Sequence, residues 1–124
     1  MELQIDTNHI SNKLCEIFLI GSLDTETAPQ LEKELETVFD SESNKIIFNM
    51  KELEYVSSAG LKVIAKACRK MKEKDGDILT TAMQPQIKKV FDIIKALPNL
   101  RMFKNQEDLD EYLDAMQELV KSKT

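Results

Sequence analysis

The side chains able to do chemistry in this chain are few and far apart. His9 is the single histidine among 124 residues; it stands in a polar stretch between two apolar runs, where an imidazole is ordinarily just solvated. Cys15 and Cys68 are the only two cysteines, without CxxC spacing. They read as buried reduced thiols, not as a disulfide framework or metal ligands, because a zinc site needs several His or Cys at fixed spacing. The glycine-rich cradles for nucleotides, GxGxxG and GxxxxGK(S/T), are absent. The pair Ser57-Ser58 is not set in a GxSxG elbow, and a Ser-His-Asp arrangement would require His9 to reach across the fold. The chemistry on offer is that of a binding protein, with no enzymatic activity, cofactor or metal expected.

What remains is the turn Val56-Ser57-Ser58-Ala59-Gly60-Leu61. Two hydroxyls lie where a buried strand gives way to a helix, and core packing has no use for them there. Ser57 or Ser58 is suited to the N-cap, accepting from the unpaired amides of the first helical turn. Gly60 lets backbone or a partner approach closely, since it has no Cβ. A helix start also tolerates negative charge. A phosphate there would add about 1.5–2 negative charges to a neutral contact surface and oppose docking.

The elements that must position this turn alternate along the chain. Leu3 to Asp6 and Leu14 to Ile20 read as a hairpin whose polar connection runs from Thr7 to Lys13. Gly21 and Asp24 break the pattern before a helix from about Thr27 to Phe39. Its stripe is Ala28, Leu31, Leu35, Val38 and Phe39, with Thr27 and Gln30 spaced for a capping box and Pro29 in the first turn. Lys45 to Met50 is a short apolar run of the kind buried inside a parallel sheet. The serine turn then opens a helix with Leu61, Ile64, Ala65, Cys68 and Met71 inward, ending near Gly76. Lys62, Lys66, Arg69, Lys70, Lys72 and Lys74 make this helix locally basic, which reads as a solvated face and, more sharply, as a contact for an acidic partner.

Asp77 to Ala82 supplies another strand, and strand, helix, strand with short connections makes a βαβ unit. Pro85 begins a third helix with Ile87, Val90, Phe91, Ile94 and Leu97 inward, and Pro98 stops it. Leu100 to Phe103 reads as an edge strand. A last helix from about Asn105 to Val120 buries Leu109, Tyr112, Leu113, Met116 and Leu119. The order ββαβαβαβα predicts an α/β domain: a mixed, partly parallel sheet of about four to five strands packed by about four helices. The serine turn then lies beyond the carboxyl end of a parallel strand, where α/β sheets commonly meet ligands and partners.

Bulk composition agrees. A chain of 124 residues, 42% hydrophobic and 31% charged, is one globular domain large enough to bury a core without staples. Its formal net charge of −5 argues against nucleic acid as a partner, which wants a basic footprint. No apolar run approaches the ~20 residues of a membrane span. The start Met1-Glu2-Leu3-Gln4-Ile5-Asp6 has no signal-peptide pattern, so a cytoplasmic location without membrane insertion is expected.

The turn and the element order together resemble the STAS domains of bacterial anti-sigma factor antagonists. That family's pattern is an apolar pair, Asp, a phosphorylatable Ser, then Ser, Thr or Ala, then Gly-Leu. Gly21-Ser22-Leu23-Asp24, followed by Thr27-Ala28-Pro29 and Leu31, is similar to the family's second recognisable segment. The resemblance runs from about Leu3 to Leu113, within one STAS-like domain taken over residues 1–124. It implies Ser58 as phosphoacceptor, Asp24 as an acidic neighbour in partner or kinase recognition, and Ser57, Ala59, Gly60 and Leu61 as partner-binding positions. It further implies a switch: the unmodified protein binds an anti-sigma factor serine kinase, phosphorylation of Ser58 ends the binding, and a PP2C-type phosphatase resets it. The chain departs from the pattern at two places, with Ser57 before the acceptor and Asn49 on the strand where acids are usual. Those departures motivate an alternative, a constitutive STAS scaffold or accessory subunit of a membrane transport system that is not phosphorylated.

Overall fold

The computed structural model describes residues 2–93 and 100–103, and, toward the C-terminus, 107, 108, 110, 111, 114 and 115. Its elements are β1 (Leu3–His9), β2 (Leu14–Leu23), α1 (Ala28–Phe39), β3 (Lys45–Asn49), β4 (Leu53–Val56), α2 (Ser58–Glu73), β5 (Asp77–Thr81), α3 (Pro85–Ile93) and β6 (Leu100–Phe103). One sheet runs β1-β2-β3-β5-β6, with β4 joined to β2 beyond the end of β3. Only the β1–β2 hairpin is antiparallel; β2–β3, β2–β4, β3–β5 and β5–β6 are parallel. The mixed α/β architecture expected from the sequence is therefore present, with six strands where about four to five were expected. The described C-terminal residues 107, 108, 110, 111, 114 and 115 are helical. The expected inward positions Leu109, Tyr112, Leu113, Met116 and Leu119, like Ile94 and Leu97 of α3, lie outside the described residues.

Period-two burial explains the sheet. Ile17 and Leu19 of β2, Ile46 and Phe48 of β3, and Ile78 of β5 are buried on one face. Leu31, Leu35 and Val38 of α1, Ile64, Cys68 and Met71 of α2, and Ile87 and Phe91 of α3 close over that face in a single cluster, as stripes at helical spacing dictate. Ile47 and Leu79 form a smaller cluster with Leu14 and Phe103 on alternate strand positions. The two cysteines belong to the main cluster, and burial pushes both thiols up to about 11, so they stay protonated and unreactive.

Four local expectations are corrected. The polar connection is shorter than Thr7–Lys13, because β1 continues to His9 in register with Cys15. The second strand does not stop at Ile20. It passes through Gly21, whose φ of +104° suits the register shift between Gly21 and Ser22; a left-handed residue at a bulge is a glycine position. The capping box Thr27–Gln30 does not form: the Thr27 side chain makes no cap bond to α1, and Gln30 Nε2 instead donates to Leu3 O at 3.0 Å, tying β1 to α1. The stripe of α2 includes Val63 and Ala67, whereas Leu61 and Ala65 are half-buried.

A lysine secures the far end of α2. Lys74 Nζ donates to Phe39 O, Ser41 O and Ser43 O at 3.1, 2.9 and 2.6 Å. A charged donor shared by three carbonyls fastens the α1–β3 connection to the helix.

Candidate functional site

The strand that delivers the serine turn is β4, which the sequence did not separate from its surroundings. Leu53 and Val56 are buried while Glu54 and Tyr55 are exposed, so its four residues lack the alternation that marks a strand. It runs parallel to the end of β2, with Ser22 opposite Tyr55 and Leu23 opposite Val56. The backbone bond from Ser57 N–H to Leu23 O, 2.8 Å long, carries that pairing one residue further. The turn thus follows the carboxyl end of a parallel strand, as expected, but that strand is β4 and not β3.

Ser57 is the N-cap of α2. Its backbone is extended at φ −96° and ψ 173°, its Oγ accepts from Gly60 N–H at 3.3 Å, and its carbonyl accepts from Leu61 N–H at 3.0 Å. These bonds satisfy part of the unpaired first turn. Ser58 is the first residue of the helix and is exposed. Its hydroxyl makes no hydrogen bond to a described residue, so it is an open nucleophile or donor on the surface.

Gly60 is buried against Leu23. A Cβ there would lie 2.6 Å from Leu23 Cγ and 3.1 Å from Leu23 O. No ordinary contact is that short, and Leu23 is itself fully buried. Absence of the side chain, not a special φ, is what the position requires. Ala59 and Leu61 are half-buried and pack against the main core.

Asp24 follows Leu23 and starts the turn into α1. Its Oδ1 accepts from Glu26 N–H and Thr27 N–H, both at 3.0 Å. In return, Asp24 N–H donates to Thr27 Oγ1 at 2.8 Å. This reciprocal pair is the capping box of this helix start, displaced one turn upstream of the expected place. The Thr27 hydroxyl lies 2.8 Å from Ser22 O and 3.2 Å from Asp24 Oδ1; its one hydrogen serves the shorter contact. The Thr27 N–H, foremost, and the Glu26 N–H hold the Asp24 carboxyl below its ordinary 3.8, because each bond favours the ionised form.

Leu23 thus touches both Ser57 and Gly60, and Asp24 is the next residue in the chain. Asn49 stands elsewhere, at the end of β3. It donates to Glu16 at 3.5 Å and accepts from Lys51 N–H at 3.1 Å. His9 is exposed near the end of β1 and joins no catalytic group. Among the described residues no cluster of His, Cys, Asp or Glu is arranged to hold a metal ion, and no helix is long and apolar enough to cross a membrane. One exposed residue at the turn was not singled out from the sequence: Tyr55, 47% exposed and two residues before Ser57. An aromatic in a four-residue run ending at the serines was the available signal.

The protein is thus a mixed α/β domain whose strand ends carry a capped helix start with an exposed serine beside the cap. Comparison with known proteins gives the family. The STAS domain model matches residues 4–109, and the chain belongs to the STAS domain family. Over 75 residues it is 29% identical to a putative anti-sigma factor antagonist, BtrV, of Bordetella bronchiseptica, covering 60% of this chain and 65% of that protein. Over 102 residues it is 26% identical to the anti-sigma-B factor antagonist of Listeria monocytogenes, covering 82% of this chain and 84% of that one. Among solved structures, the fold is similar to the anti-sigma factor antagonist SpoIIAA in its unphosphorylated form. There the TM-score is 0.73 at 20% identity, over 92% of this chain and 98% of that one. It is similar also to the phosphorylated form of the Bacillus cell fate determinant SpoIIAA, with TM-score 0.70 at 20% identity over 88% and 99% of the chains.

Proposed function

We propose that the protein is an anti-sigma factor antagonist-like switch: its α2 start binds an anti-sigma factor serine kinase, and phosphorylation of Ser58 ends that binding. The observation that carries this reading is the division of labour between the two serines. Ser57 is occupied as the cap, so Ser58, exposed at the first helical position, is free to react without unravelling α2. The names of the curated relatives support the class of partner.

In the reaction, Ser58 Oγ forms a bond to the γ-phosphorus of ATP held by the kinase. The bond from that phosphorus to the β–γ bridging oxygen breaks, ADP leaves, and the serine proton passes to a base of the kinase. The protein is the substrate and not the enzyme; ATP and metal belong to the partner. The product carries about 1.5–2 added negative charges beside Asp24, on a helix start that favours anions. The helix therefore stays folded, while a partner surface shaped for a neutral hydroxyl is repelled. Hydrolysis by a PP2C-type phosphatase restores the serine, and the whole cycle operates in the cytoplasm.

Incubation with the cognate kinase and ATP, followed by intact mass, tests the reading. The expected result is one added phosphate, absent in Ser58→Ala. A phosphate that persists in Ser58→Ala, or none in the native chain, contradicts it. The missing acids at Ser57 and Asn49 favour one rival, a constitutive STAS scaffold or accessory of a membrane transport system. Binding to a transporter subunit unchanged by Ser58→Asp would be its signature.

A further inference from the structure

The basic face of α2 is not a uniformly solvated surface. Lys62, Lys66 and Arg69 follow one another at i, i+4 and i+7, a stripe about 10 Å long on one edge of the helix. All three line a groove between α1 and α2 with a volume of about 510 Å³. Its floor is made of small or apolar residues: Ala28 and Pro29 of α1, and Ala59, Val63 and Ala65 of α2. Further along the same pair of helices a second depression of about 290 Å³ carries Glu36 and Asp40 on the α1 side and Lys70 on the α2 side, with Glu32, Val63 and Lys66 common to both. The groove therefore has one acidic wall and one basic wall over an apolar floor.

Among the described residues, one ion pair spans it. Lys66 Nζ stands 3.6 Å from Glu32 Oε1, with the two side chains 43% and 45% exposed. An exposed pair of this kind is weak, so an incoming carboxylate replaces Glu32 as the partner of Lys66 at small cost. Lys62 and Arg69 form no ion pair among the described residues.

We infer that the α1–α2 groove is a docking surface for an amphipathic helix of a partner protein, one that carries acidic residues at i, i+4 and i+7 along one edge of an apolar stripe. Small floor residues allow two helix backbones to approach closely, and the stripe of cations meets acids at the same helical spacing. The two-signed walls select against other occupants. A nucleic acid backbone would set phosphates against Glu32 on a chain of net charge −5, and a flat anionic membrane does not fill a concave groove. Ser58 does not line the groove, so its unmodified hydroxyl takes no part in docking there.

The test uses the full chain, isotopically labelled, and a synthetic acidic-edged amphipathic helix of about 18 residues. Amide shifts should concentrate on Ala59, Val63 and Ala65. The double variant Lys62→Glu/Arg69→Glu should bind about tenfold more weakly, while Ser58→Ala binds as the native chain does. Both reversed side chains are exposed, and an unchanged thermal melt verifies the fold. Ala65→Gln, which fills the floor without altering charge, should also weaken binding. Equal binding of a scrambled isomer of the helix, or insensitivity to the double variant, overturns the proposal. So does a loss of binding in Ser58→Ala, which would move the contact to the turn. Preferential co-sedimentation with phosphatidylglycerol vesicles, or self-association abolished by the double variant, would assign the groove to a lipid surface or to a second copy and equally overturn it.

Discussion

Asp24 and Ser57, each one residue past the Leu23–Val56 pairing, lead into α1 and α2, and the two helix starts spend their polar groups differently. At the start of α1, Asp24 and Thr27 are turned on each other: carboxylate, hydroxyl and both backbone N–H groups form one closed set with Ser22 O. At the start of α2, the Ser57 side chain caps through one bond to Gly60, and Ser58 is left exposed without a partner among the described residues. One start is a fastening; the other is a fastening plus a spare hydroxyl. Neighbouring polar residues of similar type here carry unequal roles, and the role follows from which hydrogen bonds the local backbone already consumes.

The largest effect is expected at Gly60, on which the close approach of Leu23 to the start of α2 depends. Gly60→Ala places a methyl group against buried Leu23, an overpacking that costs about 1–3 kcal/mol, readable as a lower denaturation midpoint with an unchanged slope. Ser57→Ala removes the cap and should cost about 1 kcal/mol, measured the same way. Were Ser57 silent, the cap would not be what holds the start of α2.

The α1 side is sharpened by pH. Asp24 has a folded pKa below its ordinary 3.8. Its contribution is thus fully present above that ordinary value and is lost as pH falls through the lower folded one. The native melting temperature should drop more steeply than that of Asp24→Asn below about pH 3.8, since the amide keeps an acceptor that does not titrate. Parallel curves would remove Asp24 from the fastening. The smallest effect belongs to Ser58→Ala. With no hydrogen bond to another described residue to lose, the exposed serine should change stability by less than about 0.5 kcal/mol, in contrast with its neighbour.

Much of this arrangement is legible in the chain. The α1 stripe Ala28, Leu31, Leu35 and Val38 is buried as its spacing demands, and the β1–β2 hairpin follows from two apolar runs around a polar one. Gly60 and the capping role at Ser57-Ser58 are readable because glycine and serine have narrow uses at a strand-to-helix turn. The strand β4 is not readable, because only Leu53 and Val56 of its four residues face the core. The use of Asp24 is hidden for another reason. Which of Asp24, Thr27 and Gln30 becomes the box depends on Thr27 being turned inward to Ser22 O and Gln30 being drawn off to Leu3 O, both set by packing between elements. The α2 stripe is shifted because that helix packs on α1 as well as on the sheet, which draws Val63 and Ala67 into the core.

The proposed switch requires Ser58 to be a spare hydroxyl that a partner reads. The most direct measurement is the affinity of the cognate anti-sigma factor kinase for the unmodified protein and for the same protein stoichiometrically phosphorylated on Ser58, side by side. The predicted result is a loss of about a hundredfold or more on phosphorylation, with the circular dichroism melt of the protein unchanged. Equal affinity for the two forms would contradict it.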